Sequence, residues 1–334
     1  MTIQNDGLVE LKDGYKPMDI SNVNNLIVSG AGTSGIDRGI QFKNNTYRAI
    51  ALRGTLNDFT LQNMYFKNIA DLVIMHEGLE KLRYTGAADS YAKNLKFLNL
   101  DADNVGPFIM LPGSIESSAH YGVIKGLEVA NITCVNSPTI STIVYVGNGY
   151  NYNVHNNYIN NVNTKVDNHN GIFFLKGFGK FYSNIVTNHQ GNAIRAWIHS
   201  IDNQTGIIEI YNNIVYSSRR YGAFELQVTE GMKQSSVFYP VNAKVYNNTA
   251  GRLNFEDPKY FEARLLDLYM TYGTLEIYNN IVVNNRDAQI INNMSTTRIT
   301  VNKDNIYSQD PLAVLVNLIS FESKLPGIGA NLKQ

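Results

Sequence analysis

The feature that most constrains this chain is a phrase it repeats. "IIEIYNNIVYSS" at 207–218 returns as "LEIYNNIVVNN" at 275–285, and "AKVYNNTAGR" at 243–252 lies between them. Aligned on the first polar residue after each strand pattern, the copies fall at Asn63, Asn94, Gly126, Asn156, Ser183, Asn212, Asn247 and Asn279. The gaps are 31, 32, 30, 27, 29, 35 and 32 residues, and a weaker copy sits near Asp304. The following position is apolar in the early copies (Met64, Leu95, Leu127). From Asn157 onward it is asparagine: Asn157, Asn184, Asn213, Asn248, Asn280 and Asn305. A second short strand pattern follows about ten residues on, as in "DLVIMHE", "GPFIMLP", "STIVYVG", "NGIFFLK", "NAIRAWI", "GAFELQV" and "ARLLDLY". Each repeat reads as three short strands without a helix, and no single unit can bury its own apolar face. Stacking the units does, and it sets like residues in columns about 4.8 Å apart. A column of inward asparagines then satisfies polar groups that the bends would otherwise bury unpaired.

Composition narrows the partners. Lys+Arg and Asp+Glu both number 28, so the chain lacks the basic excess that nucleic-acid binding requires. No apolar run reaches the length of a membrane span. The opening "MTIQNDGLVE" does not read as a signal peptide. Cys134 is the one cysteine, which excludes an internal disulfide and reads as a small buried residue.

The asparagine-marked repeat resembles the right-handed parallel β-helix proteins of the pectate-lyase-like superfamily, whose asparagine ladder lies at the second turn. The segment "LKDGYKPMDISNVNNLIVSGAG" resembles that family's first coil. The tail "DPLAVLVNLISFESKLPGIGA" resembles the closing segment of its secreted bacterial members. The likeness spans about residues 8–332. It implies an all-β chain: one single-stranded right-handed parallel β-helix of three sheets and about 9–10 coils, filling residues 1–334. Residues 1–15 would form a lead-in without the family's usual capping helix, and 310–334 a closing segment. It also implies an acidic polysaccharide or oligosaccharide as partner and an extracellular, periplasmic or cell-surface location. The fold does not fix the reaction.

In that family the sheet after the third turn lines the substrate groove. Strand alternation then assigns side chains to its two faces. One outward row is read as Ile74, Ile109, Val144, Phe173, Arg195, Glu225 and Asp267. The second is His76, Leu111, Val146, Leu175, Trp197, Gln227 and Tyr269. Charge and aromatic surface gather in the C-terminal half. Arg195, Glu225 and Asp267 are the candidate catalytic row; Trp197, Gln227, Tyr269 and Phe173 are candidate sugar contacts. Glu225 stacked on Asp267 requires that one carboxyl keep its proton or that a cation bind. A plain ion-pair ladder is the alternative for this row. His169, His189 and Arg220 open strands of the same sheet and border the groove. Lys176 becomes a base if Arg195 lowers its pKa. The long loops at 229–242 and 251–264 flank this stretch, as site-building loops do.

The expected function is lyase-like action on a uronic-acid-containing glycan. A non-catalytic carbohydrate-binding or adhesin-type solenoid is the alternative, and a glycoside hydrolase using Glu225 and Asp267 a second one. The sequence requires no cofactor; Ca²⁺ is compatible with it, although no stacked-aspartate cluster is evident. "NLDADN" at 99–104 lacks the Gly and distal Glu of an EF-hand, and "GAGTSG" at 30–35 opens no helix, so both read as turns. The sequon at Asn203 matches by chance in so Asn-rich a chain.

Overall fold

A solenoid coil must turn sharply while its backbone stays paired with the coils on either side. Asparagine adopts the left-handed conformation such corners need more readily than other non-glycine residues. A computed structural model of the chain, describing residues 1–116, 119–202, 204–228, 239–257 and 259–332, shows this device repeated in register. Positive φ recurs at Asn63, Asn99, Asn131, Asn156, Ser183, Asn212, Asn247, Asn279 and Asp304. Between corners the strands pair in parallel, each with the strand one coil away, in one 26-stranded system. The product is a parallel β-helix of three walls. Ser114–Glu116 and Ala119–Tyr121 form a separate antiparallel pair on a loop.

The register corrects the expected alignment of the early coils. Asn63 stacks on Asn99, whose Nδ2 donates to Asn63 Oδ1 at 3.0 Å, and Asn131 donates to Asn99 at 3.0 Å. Asn94 instead donates to Asp58 Oδ1 at 2.7 Å. With Gly126 it belongs to a neighbouring corner, where φ is again positive. The apolar positions preceding the inner asparagines are therefore Met64, Leu100 and Ile132; Leu95 and Leu127 pair with each other elsewhere on the coil.

From Asn157 onward the inner column is continuous. Asn157 Nδ2 donates to Asn184 Oδ1 at 2.8 Å, Asn184 to Asn213 at 3.0 Å, Asn213 to Asn248 at 2.9 Å, Asn248 to Asn280 at 2.9 Å and Asn280 to Asn305 at 2.8 Å. Each Oδ1 also accepts the backbone N–H of the preceding rung. Outside the same corner, Tyr182, Tyr211, Tyr246 and Tyr278 stack nearly parallel, with centroids 4.9–5.1 Å apart, and His155 lies on Tyr182. The core is filled by similar columns, such as Phe42 on Phe66 at 5.1 Å. Cys134 is buried within it, and burial pushes its thiol up to about 12, so it is inert at neutral pH.

The first wall carries a second correction. Ile74, Ile109, Val144 and Phe173 pair in sequence with Ile194, Phe224 and Leu266. All are fully buried and point into the core. Leu111, Val146 and Leu175 likewise line up with Ala196, Leu226 and Leu268, and His76 is buried against the Gly54 carbonyl. The outward row that continues through Arg195, Glu225 and Asp267 starts instead with Met75, Met110, Tyr145 and Phe174. Phe173 is thus a core residue and Phe174 the wall residue. The expected rows slip by one position in the N-terminal half, which exchanges the two faces of every strand there.

Candidate functional site

The strands Asn192–Ile198, Phe224–Gln227 and Leu266–Leu268 set Arg195, Glu225 and Asp267 directly opposite one another. One row along, Lys176, Trp197 and Gln227 are aligned in the same way. These strands occur here because branched and aromatic residues alternate with the wall residues, and the alternate positions fill the core.

The row is outward but not uniformly open. Glu225 and Asp267 are both 0% exposed. Glu225 Oε1 accepts Arg195 Nε at 2.8 Å and Gln227 Nε2. Its Oε2 lies 2.9 Å from His169 Nε2. Burial works against charge on Glu225, but the His169 imidazole and the Arg195 guanidinium outweigh it and hold the carboxyl below its usual range. Asp267 is the opposite case: burial first, then the neighbouring Glu262 charge, push its carboxyl well above the usual range. Asn292 donates to its Oδ1 at 3.3 Å, while Oδ2 packs against Gly222, where an added Cβ would lie 2.2 Å away. The two stacked carboxyls are thus pushed in opposite directions, Glu225 toward the charged form and Asp267 toward the neutral one.

The half-exposed groups are cationic and aromatic. Lys176 Nζ lies 4.9 Å from the Trp197 ring centroid, 5.5 Å from Phe174 and 5.6 Å from Tyr145. It has no acidic partner among the described residues; burial and then Arg195 lower its pKa. The Arg195 guanidinium carbon lies 5.3 Å from Trp197, and Nη1 holds the His169 carbonyl at 3.2 Å. Trp197 meets Phe174 edge-on at 4.8 Å. His169 stacks on Tyr221 at 4.2 Å and reaches Asn192 Oδ1 at 3.2 Å.

Several expected site residues lie apart from this group. His189 is buried on a different wall, where it pairs with Val162 and Ser218, and burial lowers its pKa to about 4. It is a packing residue. Arg220 pairs with Asp167 at 3.3 Å on the rim. Tyr269 donates its hydroxyl to Glu262 Oε1 and so works through that carboxylate. Most of the loop 229–242 lies outside the described residues, as does Asn203. Sequence reasoning missed Glu262, Asn192 and Tyr221. Glu262 comes from the irregular run "KYFEARLL", where no alternation assigns a face; its one signal was its place in a long loop beside Glu225.

No family model matches this chain. No curated protein matches it either. A likeness to a solved structure is found with the A-module of a mannuronan C-5 epimerase from Azotobacter vinelandii. It has 12% identity over 90% of this chain and 91% of that one, with a TM-score of 0.22. No helix is long and apolar enough to cross a membrane among the described residues.

Proposed function

We propose that the first wall binds an acidic polysaccharide across Trp197, Phe174, Lys176 and Arg195 and cleaves it by β-elimination, as a lyase of the pectate-lyase-like type. The observation that carries this reading is Lys176, a half-buried cation on an aromatic bed without an acidic partner among the described residues. Such a group favours an anion whose other face is apolar, which describes a uronate ring. Burial and then the Arg195 charge lower the Lys176 pKa, which favours the neutral amine that takes the C5 proton. Arg195, held by Glu225, stabilises the negative charge that the carboxylate side gains as C5–H breaks. The C4–oxygen bond then breaks, a C4=C5 double bond forms, and solvent protonates the departing oxygen. Hydrolysis by Glu225 and Asp267 is less well supported, since both are fully buried and Glu225 is already engaged by Arg195, Gln227 and His169. An extracellular or cell-surface setting accompanies this proposal, because acidic polysaccharides are met there.

The test is a panel of uronate polymers followed at the ultraviolet band of unsaturated uronates. Absorbance growth that Lys176→Ala abolishes supports the reading. Reducing ends without the band would replace it with hydrolysis. Tight binding with neither product would make the protein a carbohydrate-binding solenoid.

A further inference from the structure

Beside Arg195, three side chains converge, and the glycan reading uses only one of them, Glu225, as the partner that holds Arg195. Glu225 and Glu262 are 0% and 1% exposed. Each has one oxygen committed: Glu225 Oε1 to Arg195 and Gln227, Glu262 Oε1 to the Tyr269 hydroxyl. The other oxygen of each, Oε2, is buried and accepts no hydrogen bond of good geometry. Both bare oxygens face His169 Nε2, at 2.9 and 3.6 Å. The three candidate donor atoms all lie within 4.8 Å of one another. Asn192 adds Oδ1 at 3.2 Å from the same nitrogen, and its Nδ2 is tied to the Gly222 carbonyl at 3.2 Å, which keeps the oxygen turned inward.

We propose that His169, Glu225 and Glu262 form a binding site for one divalent first-row transition cation, of the Zn²⁺ or Mn²⁺ kind, with Asn192 Oδ1 as a further oxygen donor. A metal about 2.0–2.2 Å from each donor spaces the donors by about 3–4 Å, which a cluster of this width accommodates with small side-chain shifts. The set mixes one imidazole nitrogen with carboxylate oxygens, a combination that suits Zn²⁺ and Mn²⁺ better than all-oxygen Ca²⁺. The outer contacts are of the kind that orient metal ligands: Arg195, Gln227 and Tyr269 fix the carboxylates, and Tyr221 fixes the imidazole plane. Charge points the same way. Arg195 balances Glu225, while Glu262 has no Lys or Arg partner among the described ion pairs and would otherwise bury its charge against His169 alone. His169 is 25% exposed and gives the ion an access route. The inference does not depend on the glycan assignment.

The test uses the whole chain after chelator treatment and dialysis, titrated calorimetrically with Zn²⁺, Mn²⁺ and Ca²⁺ separately, with visible spectra recorded on Co²⁺ addition. Expected are one site per chain for Zn²⁺ or Mn²⁺, weaker Ca²⁺ binding, and a Co²⁺ d–d band. His169→Ala, at a half-exposed position, should weaken binding by more than about 100-fold and abolish the band; Glu262→Gln should do the same. The proposal is overturned if no cation binds, if Ca²⁺ binds best, or if binding survives His169→Ala unchanged. If no cation binds, the His169 ring placed between the two carboxylates accounts for the cluster without a metal. Metal binding without lyase activity, or the reverse, separates this inference from the glycan reading.

Discussion

Replacing Asn213 by alanine tests what holds the C-terminal coils together. The Asn213 side chain takes part in four hydrogen bonds. Nδ2 donates to Asn248 Oδ1 at 2.9 Å and to the Phe181 carbonyl at 3.0 Å. Oδ1 accepts Asn184 N and Asn184 Nδ2, both at 3.0 Å. Asn184 and Asn213 are both 0% exposed, so water does not replace the lost partners. Asn248 Oδ1 keeps the Asn213 N–H, and Asn184 Nδ2 keeps the Val154 carbonyl at 3.1 Å. The Asn184 N–H loses its acceptor outright, and the Phe181 carbonyl loses a donor. Each such buried group costs about 1–3 kcal/mol, giving about 2–6 kcal/mol in all. At about 1.4 kcal/mol per tenfold, the Asn184 amide should exchange with deuterium at least tenfold faster, and the urea midpoint should fall. Asn305→Ala, at the half-exposed end of the column, should cost about 1 kcal/mol. Equal, small effects of about 0.5 kcal/mol or less at both positions would refute the idea that the column supports the coils.

The other predictions concern charge. Glu225→Gln should destabilise by about 3–5 kcal/mol because it removes the buried carboxylate that pairs with Arg195, whereas Asp267→Asn, at a carboxyl that burial already pushes toward its neutral form, should change stability by less than about 1 kcal/mol; paired thermal melts check both. If Lys176 is the base, turnover rises with pH as the amine deprotonates, and Arg195→Gln, by removing a neighbouring positive charge, moves that limb to higher pH in a pH–rate profile. His189 has a folded pKa of about 4 against its usual 6.5, so the unfolded chain binds the extra proton first. The native state keeps its full margin above about 6.5 and loses about 3 kcal/mol as pH falls to about 4; His189→Leu should flatten that loss in acid-unfolding curves.

The repeat determined the β-helix. Corners that need left-handed backbone draw asparagine, and inward polar groups in a stacked structure must pair along the axis, so both leave their mark in the linear text. The row Arg195, Glu225, Asp267 was legible for a related reason: in "NAIRAWI", "GAFELQV" and "ARLLDLY" charged residues break the apolar run and fix which face is which. Tertiary structure alone decided the rest. "GIFFLK" is apolar at four consecutive positions, so alternation carries no phase, and only pairing with the next coil turns Phe173 inward and Phe174 out. Asn94 and Asn99 both satisfy the corner rule, and only the stacking register chooses Asn99 as the partner of Asn63. Glu262 reaches Glu225 and His169 across 37 and 93 residues of chain through an irregular segment. No local pattern encodes that approach, because it is the packing of one coil's loop over the next coil's wall that produces it.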